Sequence, residues 1–427
     1  AMVALFGMGA ALAPEARKAV ESCGASDAPS VLRAGLPERF PCKYWFVDLN
    51  GGACRMAGRR ICNDRMLFAD GSLDCMYAAD DAAVARFVAS TASLAGYIEG
   101  LGVPFLYVQA PYKHPLEGGL APPGWPLANL NDEALRAVSA LEGRGVRTLD
   151  LVRALAATRK DVAANFYPTD HHWRGRAALK AARLVSRRLS DVLGDASLRS
   201  PPQLRAGNWE RRVERGAFLG SHGRRTGRFF AGTDDFEYFV PKFRTDIARY
   251  MGGRPCASGE FVKSVLEMRF LSKGLHERNA YGVYGTDRNE VAFVNGKARS
   301  SAKVLFVKDS FANPVAGFLA TVCREVVKVD PRRCESRDEI LRLVEKHRPD
   351  AVVMLVHPVA MRNEKFVFAG AGPQEAPPPT EAPRLWYNMD STPTHQGTRK
   401  KKEVGRASID IRAFPGGGRR RGGRDGS

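Results

Sequence analysis

The chain has 427 residues, of which 44% are hydrophobic, enough to fill the core of one large or two modest globular domains. Its net charge of +19 raises the question of nucleic-acid binding, but +7 of that excess lies after His395, where ten Lys and Arg residues face three acids. No recognised nucleic-acid module or basic stripe interleaved with aromatics accompanies the remaining +12. Attraction to an anionic polysaccharide or an acidic membrane surface explains the charge equally well, so nucleic acid is not an expected partner.

The first 40 residues are a lead segment that opens with AMVALFGMGAALAP. This run is apolar, but at about 14 residues it is too short to span a bilayer, and it has no basic leader. It is either the remnant of a truncated signal or anchor, or a plain N-terminal helix. Residues 41–365 are predicted to form the main domain.

Apolar runs and helical periodicity alternate through the main domain. A predicted helix over 83–102 ends at a glycine, and VPFLYVQAP after it is typical of a buried strand closed by proline. The next elements are a helix at about 132–144, the strand VRTLDLV and the helix RAALKAARLVSRRL. Later come the strand KVLFVKDS, a helix, the strand EVVKVD, the helix DEILRLVEKH and the strand AVVMLV. This alternation predicts an α/β fold, a parallel sheet with helices on both faces and right-handed crossovers.

Two stretches depart from this alternation. From about 195 to 300 the sequence has Gly- and Arg-rich turns and short aromatic runs such as FEYFVP, which we interpret as a β-rich or irregular insertion. It either covers the site or binds a glycan, or it is a structural elaboration. Residues 366–427 contain PQEAPPPTEAP, RKKK and GGGRRRGGRDGS without a core pattern, which predicts a disordered basic tail.

Five of the eight cysteines lie in the first 75 residues without C-x-x-C spacing, which argues against zinc. An even count in an exported protein permits a disulfide among Cys42, Cys54, Cys62 and Cys75. Isolated buried thiols are equally compatible with the pattern, and sequence alone does not select a pairing.

The stretch FYPTDHHW and a serine far downstream are the best candidates for catalysis. In an extended segment side chains alternate, so Asp170 and His172 would point the same way and His171 the opposite way. A carboxylate beside an imidazole fixes its tautomer and stabilises the imidazolium that forms when it takes a proton from a nucleophile. Ser310, in VLFVKDSFAN, is the candidate nucleophile, because it lies between a buried strand and the free N–H groups of a helix N-terminus.

Each of these residues could instead have an ordinary structural role. A serine at the start of a helix is commonly an N-cap, and Asp309 before it could be a cap or turn residue. The two histidines could bind a metal, but no HExxH pattern or Cys/His ligand spacing surrounds them, so no metal is expected. Trp173 is more often a packing residue than a substrate platform.

Six motifs extend the pattern beyond these residues. They are LFADGSL, VPFLYVQAPYKHPL, GVRTLDL, FYPTDHHW, FLGSHG and VLFVKDSFANPVAGFL followed by VVKVDPR. In this order they resemble the motifs of the bacterial DHHW proteins and of their relatives, the alginate O-acetyltransferases of the AlgJ and AlgX type. The resemblance covers about residues 40–360. It implies an SGNH-hydrolase-like domain with a flavodoxin-like parallel sheet.

The resemblance also implies an activity. Asp170, His172 and Ser310 match a Ser-His-Asp triad whose serine is acylated, and Arg332 in VDPR matches an arginine after the next strand. The implied protein is an extracytoplasmic O-acetyltransferase without a cofactor, in the periplasm or on the outer face of the bacterial membrane. Its acceptor is a polysaccharide, and a membrane-bound O-acyltransferase is the partner that supplies acetyl groups.

Some positions depart from the family pattern. Arg174 stands where a Thr usually follows the Trp, and Ala177 and Ala178 stand where a Gly-Ala pair is usual. The Thr would cap a helix, so its loss concerns local geometry rather than chemistry. His357, in VVMLVHP, stands where relatives often have an Asn. This leaves one supporting polar contact of the site open.

Open α/β sheets bind ligands outside the carboxyl ends of their strands, which places Ser310, Arg332 and the QAPYK turn together. An oxyanion formed there needs hydrogen-bond donors. The backbone N–H of Ser310 is the first candidate, and Gly285 or Asn313 is the second. Gly285 is otherwise a turn glycine, and Asn313 is otherwise a helix-surface or capping residue.

Two other functions remain compatible with the sequence. An esterase with the same triad would use water in place of the sugar hydroxyl. A non-catalytic glycan-binding or scaffolding subunit of a polysaccharide export complex would tolerate Ser310→Ala without loss of function.

Overall fold

The computed structural model describes residues 43–117, 119–120, 125, 127–285 and 287–368. The predictions for the lead segment, and for the tail beyond residue 368, lie outside these residues. None of the described helices has the length and hydropathy needed to cross a membrane.

The described strands and helices follow the predicted alternation. The strands are β1 (Ile61–Cys62), β2 (Arg65–Leu67), β3 (Leu73–Asp74), β4 (Phe105–Gln109), β5 (Arg147–Asp150), β6 (Trp209–Phe218), β7 (Asp234–Pro241), β8 (Ile247–Met251), β9 (Arg254–Gly259), β10 (Val291–Asn295), β11 (Ser300–Lys308), β12 (Cys323–Val329) and β13 (Ala351–Val356). The helices are α1 (Lys43–Met56), α2 (Asp81–Gly100), α3 (Leu130–Glu142), α4 (Val152–Leu155), α5 (Arg159–Asn165), α6 (Gly175–Leu193), α7 (Ser221–Thr226), α8 (Arg228–Ala231), α9 (Phe261–Ser264), α10 (Ala312–Leu319) and α11 (Arg337–His347). The predicted helices over 83–102 and 132–144 are thus observed as α2 and α3.

An eight-stranded sheet forms the centre of the fold, in the order β5-β4-β13-β11-β12-β10-β8-β9. The first five strands of this order are parallel, and β10, β8 and β9 extend the sheet as antiparallel strands. Strands β4 and β13 are buried along their whole length. Burial on both faces explains why their sequences are continuous apolar runs rather than alternating ones. The predicted parallel α/β sheet is confirmed.

Alternate residues of the central strands face two separate hydrophobic cores. In β4, Leu106 and Val108 belong to the core that α6 and α10 cover. Phe105 and Tyr107 belong to the opposite core, which α2, α3 and α11 cover. Helices therefore pack on both faces of the sheet, as predicted. The carboxyl ends of the parallel strands, where Ser310 lies, are not covered by these helices in the same way.

The stretch from 195 to 300 contains most of the antiparallel structure. Strands β6 and β7 pair with each other as a two-stranded sheet, while β8, β9 and β10 continue the central sheet. Phe218 and Phe236 from β6 and β7 lie in the same core as Val304 of β11. This stretch is therefore packed into the main hydrophobic core.

The six cysteines of the described residues form no disulfide. Cys54, Cys62 and Cys75 form no disulfide with one another, and Cys42 lies outside the described residues. Burial, and then the nearby Asp74 carboxylate, raise the pKa of the Cys75 thiol to about 12.

Candidate active site

Ser310 lies in the turn between β11 and α10, where the sequence placed it. The Oδ1 atom of Asp309 accepts a hydrogen bond from the backbone N–H of Phe311 at 2.9 Å, which closes this turn. Phe311, not Ser310, occupies the N-cap position of α10. The Ser310 hydroxyl instead lies 2.8 Å from Nε2 of His172. The alternative in which Ser310 is only an N-cap is therefore wrong.

The DHHW segment is a turn rather than an extended strand, closed by a bridge between Phe166 and Trp173. Within the turn, Oδ1 of Asp170 accepts from the backbone N–H of His172 at 2.8 Å and lies 2.6 Å from its Nδ1. Asp170 and His172 meet as expected, although strand alternation is not the reason. The expectation that His171 points away was wrong, because in the turn its ring centroid lies 3.8 Å from that of His172.

A second backbone donor holds the other oxygen of Asp170. The N–H of Ser221, the first residue of α7, donates to Oδ2 at 2.6 Å. Burial opposes ionisation of Asp170, but the neighbouring imidazoles of His172 and His171 and the hydrogen bonds from His172 and Ser221 hold the pKa of this carboxyl well below its usual range. Asp170 is therefore a carboxylate that can orient His172 and stabilise its protonated form.

His171 is a neutral neighbour of the triad. Burial, and then the nearby charge of His172, hold the pKa of His171 well below its usual value. Its Nδ1 lies 2.8 Å from the Ser221 hydroxyl, which fixes the ring against α7. His171 therefore shapes the site and supplies no charge to it.

Gly220, just before α7, packs directly against the turn from Phe166 to Trp173, the candidate catalytic turn. A Cβ atom added to Gly220 would overlap the Cβ of Asp170 and lie 2.5 Å from the carbonyl oxygen of Thr169. Its N–H donates to the Thr169 hydroxyl at 2.9 Å. Only glycine allows this approach, so Gly220 sets where Asp170 lies.

Gly220→Ala is expected to lower the free energy of unfolding by about 1–3 kcal/mol, the usual cost of overpacking, and to reduce activity at least tenfold by displacing Asp170. Urea unfolding and initial rates with a small acetyl ester measure the two effects. Gly207→Ala is the control, because a Cβ at Gly207 meets no atom within 4 Å. Equal behaviour of the two variants would show that this packing does not position Asp170.

Lys113, in the QAPYK turn after β4, is a buried residue whose contacts the sequence did not indicate. Its Nζ donates to four carbonyl oxygens, those of Leu73 at 2.6 Å, Asp170 at 2.8 Å, Pro168 at 3.0 Å and Tyr167 at 3.2 Å. Three of these belong to the catalytic turn. Burial lowers the pKa of Lys113, against the opposing effect of nearby carboxylates. Lys113 thus ties the catalytic turn to the end of β3.

Lys113→Met is expected to lower the free energy of unfolding by about 2–5 kcal/mol, because it leaves several buried carbonyls without a donor. Chemical denaturation measures this loss. Lys242→Met is the matched control, since the Lys242 ammonium also donates to a carbonyl, that of Gly207 at 3.0 Å, but is exposed. A loss no larger than that of the control would contradict the role of Lys113.

Arg332 follows β12 and pairs with two carboxylates. It donates from Nε to Asp330 at 2.9 Å and forms an ion pair with Asp287 at 2.8 Å. Lys308 joins the same two carboxylates, at 2.7 Å from Asp287 and 2.9 Å from Asp330. Arg332 therefore belongs to a largely buried ion-pair cluster at the carboxyl edge of the sheet, the edge at which the sequence placed it.

Gly285 and Asn313, the two candidates for a second oxyanion donor, point elsewhere. The N–H of Gly285 donates to the carbonyl of Gly282 at 2.9 Å, and its φ of +98° is that of a turn glycine. The side-chain amide of Asn313 donates to the Gly285 carbonyl and to Asp287, both at 3.3 Å. The structure therefore contradicts both as the second oxyanion donor. The Gly285 N–H closes its own turn, and the Asn313 amide binds the Gly285 carbonyl and Asp287. The Ser310 N–H makes no hydrogen bond within the described residues.

Trp173 is a packing residue. Its side chain is fully buried, and its ring centroid lies 5.2 Å from that of Phe311. It therefore anchors the end of the catalytic turn in the core beside α10, in the ordinary structural role expected of a tryptophan.

Residues 61–224 match the family model of the SGNH hydrolase-like domain of the acetyltransferase AlgX. The chain carries an SGNH hydrolase-like domain. Bacillus cereus PatB1 has a similar fold, with 16% identity and a TM-score of 0.55 over 70% of this chain and 96% of that one. A DHHW family protein from Eubacterium siraeum DSM 15702 matches with 16% identity and a TM-score of 0.54, over 72% of this chain and 95% of that one. At this identity both structures support the fold alone. No curated protein matches the sequence.

The three residues that depart from the family pattern contact either the turn before α6 or the hydrophobic core. Arg174 precedes α6 without a side-chain cap, but its Nε donates to the carbonyl of Phe166 at 2.9 Å and its guanidinium lies 4.8 Å from the Tyr167 ring centroid. Ala177 and Ala178 are buried in the core. Arg174 therefore closes the catalytic turn in place of the missing threonine.

Two groups in the described part of the SGNH-like domain have ligand atoms close enough for a metal, Asp170 with His171 and His172, and Asp74 with Cys75 and His222. In the first, both ring nitrogens of His172 contact protein atoms. In the second, Nε of Arg65 donates to Nδ1 of His222 at 3.0 Å, which leaves the proton of a neutral ring on Nε2, 3.3 Å from Asp74. The ligand atoms of His172 in the first group are therefore engaged within the protein.

Asp309 and His357 form a second carboxylate and imidazole pair next to the nucleophile. Oδ2 of Asp309 accepts from the backbone N–H of His357 at 2.7 Å and lies 2.5 Å from its Nδ1. The sequence singled out both positions but did not pair them. Because one residue follows β11 and the other follows β13, only the order of strands in the sheet brings them together.

Proposed function

We propose that this chain is an extracytoplasmic O-acetyltransferase that moves an acetyl group through acetyl-Ser310 onto a bacterial cell-surface or secreted polysaccharide. The observation that carries the proposal is the hydrogen-bonded chain from Asp170 to His172 at 2.6 Å and from His172 to Ser310 at 2.8 Å. A nucleophile, a base and a group that orients the base, all within hydrogen-bond reach, is the arrangement that activates serine. The match to the AlgX domain supports acetyl as the transferred group.

The first half-reaction makes the acetyl-enzyme. Nε2 of His172 takes the hydroxyl proton of Ser310 as Oγ attacks the carbonyl carbon of the acetyl donor. Asp170 accepts from Nδ1–H and stabilises the imidazolium. The bond from the acetyl carbon to the donor oxygen then breaks, and the leaving oxygen takes the proton from Nε2.

The second half-reaction repeats these steps with the acceptor. Nε2 of His172 takes the proton of a sugar hydroxyl, whose oxygen attacks the acetyl carbon, and Oγ of Ser310 leaves and recovers the proton. Water in the acceptor position would give acetate by the same route. The difference between a transferase and an esterase is therefore which hydroxyl reaches the acetyl-enzyme.

We also propose a membrane-bound O-acyltransferase as the partner that supplies acetyl groups, and the periplasm or the outer face of the bacterial membrane as the location. Both proposals follow from the resemblance to AlgX-type proteins.

The test uses the purified protein, a small acetyl-ester donor and a panel of bacterial polysaccharides. Mass spectrometry of the protein should find acetyl on Ser310, and analysis of the polymers should find new O-acetyl groups on at least one of them. Acetate released at the same rate with and without every polymer would indicate an esterase. Donor turnover without acetyl-Ser310 would overturn the proposed mechanism.

A further inference from the structure

We propose that Tyr281 is a positioning residue of the reaction centre, whose ring fixes the plane of the His172 imidazole so that Nε2 stays directed at Ser310. This inference rests on the proposed function and adds a residue to it. It also gives a task to the stretch from 195 to 300, which lies outside the predicted alternation of strands and helices.

Tyr281 stacks on the base of the triad. Its ring is nearly parallel to the His172 imidazole, with 3.8 Å between the centroids and 15° between the planes. This contact is closer and flatter than that of the Phe311 ring with His172, which has a centroid distance of 5.3 Å and an angle of 38°. The Tyr281 side chain is buried. Tyr281 therefore covers one face of the imidazole.

His171 covers the other face. Its ring centroid also lies 3.8 Å from that of His172, with the planes tilted by 36°. Two rings this close cannot share one face of an imidazole, because their own atoms must stay about 3.5 Å apart. The His172 ring is therefore held between Tyr281 and His171.

The hydrogen bonds of His172 leave the plane of its ring free to tilt. Nδ1 lies 2.6 Å from Asp170, and Nε2 lies 2.8 Å from the Ser310 hydroxyl. A hydrogen bond weakens steeply only when its angle falls below about 120°, so both can bend while the ring tilts. Rings packed on the two faces resist the tilt directly. A misplacement of about 1 Å can cost roughly 10²-fold in rate, so this restraint matters for proton transfer.

The segment that carries Tyr281 is itself fixed. Ala280–Tyr284 form a short 3₁₀-helix whose five residues are all buried. The Gly285 carbonyl at its end accepts from the side-chain amide of Asn313 at 3.3 Å. Asn313 lies in the first turn of α10, three residues after Ser310. The helix that follows the nucleophile therefore also holds the segment that packs on the base.

The stack depends on the ring of Tyr281 and not on its hydroxyl. The hydroxyl lies near the Trp173 indole but makes no hydrogen bond of normal geometry within the described residues. Tyr281→Phe therefore keeps the stack, whereas Tyr281→Leu removes it. This pair of variants separates the proposed role from any role of the hydroxyl.

Steady-state kinetics with a small acetyl ester and with the matching propionyl ester test the proposal. Tyr281→Leu should lower kcat roughly 10- to 10²-fold with both esters and leave KM little changed, because it acts through His172 and not on the substrate. Tyr281→Phe should keep the wild-type kcat. A contact with the substrate would instead raise KM, and by different factors for the two esters.

Reaction with a sulfonyl fluoride is a second measurement, which needs no acetyl transfer. Oγ of Ser310 attacks the sulfur, fluoride leaves, and His172 takes the hydroxyl proton. The rate at which mass spectrometry finds sulfonylated Ser310 should fall in Tyr281→Leu by about the same factor as kcat, and should be restored in Tyr281→Phe.

Phe261→Leu is the matched control for the loss of a buried aromatic ring. Phe261 belongs to the same stretch of sequence, and its ring packs on Trp209 and Phe318. Urea unfolding should show that Phe261→Leu and Tyr281→Leu both lose stability. Only Tyr281→Leu should lose kcat and sulfonylation rate.

Three results would overturn the proposal. They are a wild-type kcat and sulfonylation rate in Tyr281→Leu, an equal loss in Tyr281→Phe, and an equal loss in Phe261→Leu. If Tyr281→Leu does not fold, Tyr281→Met takes its place, since Met keeps much of the volume without a ring. Failure of the proposed function is distinguishable, because wild-type Ser310 would then be sulfonylated but never acetylated. A wild-type Ser310 that reacts with neither reagent would overturn both proposals.

Discussion

Ser310→Ala is expected to abolish acetyl transfer, with kcat reduced by roughly 10⁴-fold or more, because it removes the atom that carries the acetyl group. The fold should persist, since the change removes one side-chain hydrogen bond, worth about 1 kcal/mol, from a residue at the edge of the sheet. Initial rates with an acetyl ester, and mass spectrometry of the peptide that contains Ser310, measure the effect. Thermal unfolding checks the fold.

Two comparisons make this result specific. Ser272→Ala is the control, because Ser272 is exposed and its hydroxyl donates to the carbonyl of Arg269 at 2.8 Å. His172→Ala should lose nearly as much activity as Ser310→Ala, and the double variant should be no worse than either, since residues that act as a unit are not additive. If bacteria that carry Ser310→Ala, His172→Ala or the double variant still acetylate their polysaccharide, the protein is better explained as a non-catalytic glycan-binding subunit.

The sheet could be predicted from the sequence because its central strands are buried on both faces. Continuous apolar runs such as FLYVQ and AVVMLV, separated from each other by helices, are typical of strands in a covered parallel sheet. The strand-to-helix turn at Ser310 followed directly from that pattern. Asp170 and His172 also meet as the sequence predicted, because a spacing of two residues brings them together in the observed turn as well as in a strand.

The residues that surround the triad could not be predicted, because each contact spans a long stretch of sequence. The N–H of Ser221 reaches Asp170 from 51 residues away, and the ammonium of Lys113 reaches the same residue from 57 away. Asp309 and His357 are 48 residues apart. The periodicity of apolar residues predicts only local structure. These contacts depend on the order of the strands and on the geometry of the turns, which periodicity does not predict. The two oxyanion candidates failed for the same reason.

These contacts also explain how an irregular turn can hold the Asp170 carboxylate, the proposed partner of His172. The turn has few regular backbone hydrogen bonds of its own, so its position depends on what surrounds it. Lys113 binds its carbonyls from the sheet side, and Gly220 and Ser221 pack against it from α7. Trp173 and Arg174 then close its far end. We expect the turn to be rigid for this reason, which is what a base held within hydrogen-bond reach of its nucleophile requires.

Asp170→Asn is expected to lower kcat by about 10³- to 10⁴-fold while leaving the fold in place. The carboxylate accepts from Nδ1 of His172 and from the backbone N–H groups of His172 and Ser221. An amide offers one acceptor oxygen in place of two. If that oxygen stays on the Ser221 side, the NH₂ group faces Nδ1, and the His172 proton moves to Nε2, which can then no longer accept from Ser310.

Asp191→Asn is the control, since Asp191 is exposed and lies 3.8 Å from Arg199. Rates within tenfold of the wild type would show that Asp170 does not set the tautomer.

The same variant should change how stability depends on pH. Because the folded protein holds the pKa of Asp170 well below that of an unfolded aspartate, which is about 4, the carboxylate stabilises the fold fully at pH values above about 5. This contribution is lost as pH falls through about 4 toward the folded pKa, since the unfolded chain takes up the proton first. The difference in free energy of unfolding between wild type and Asp170→Asn should therefore be largest near pH 7 and shrink below pH 4. Urea unfolding across this range measures it, and a difference that does not change with pH would mean that the histidines and Ser221 do not hold Asp170 ionised.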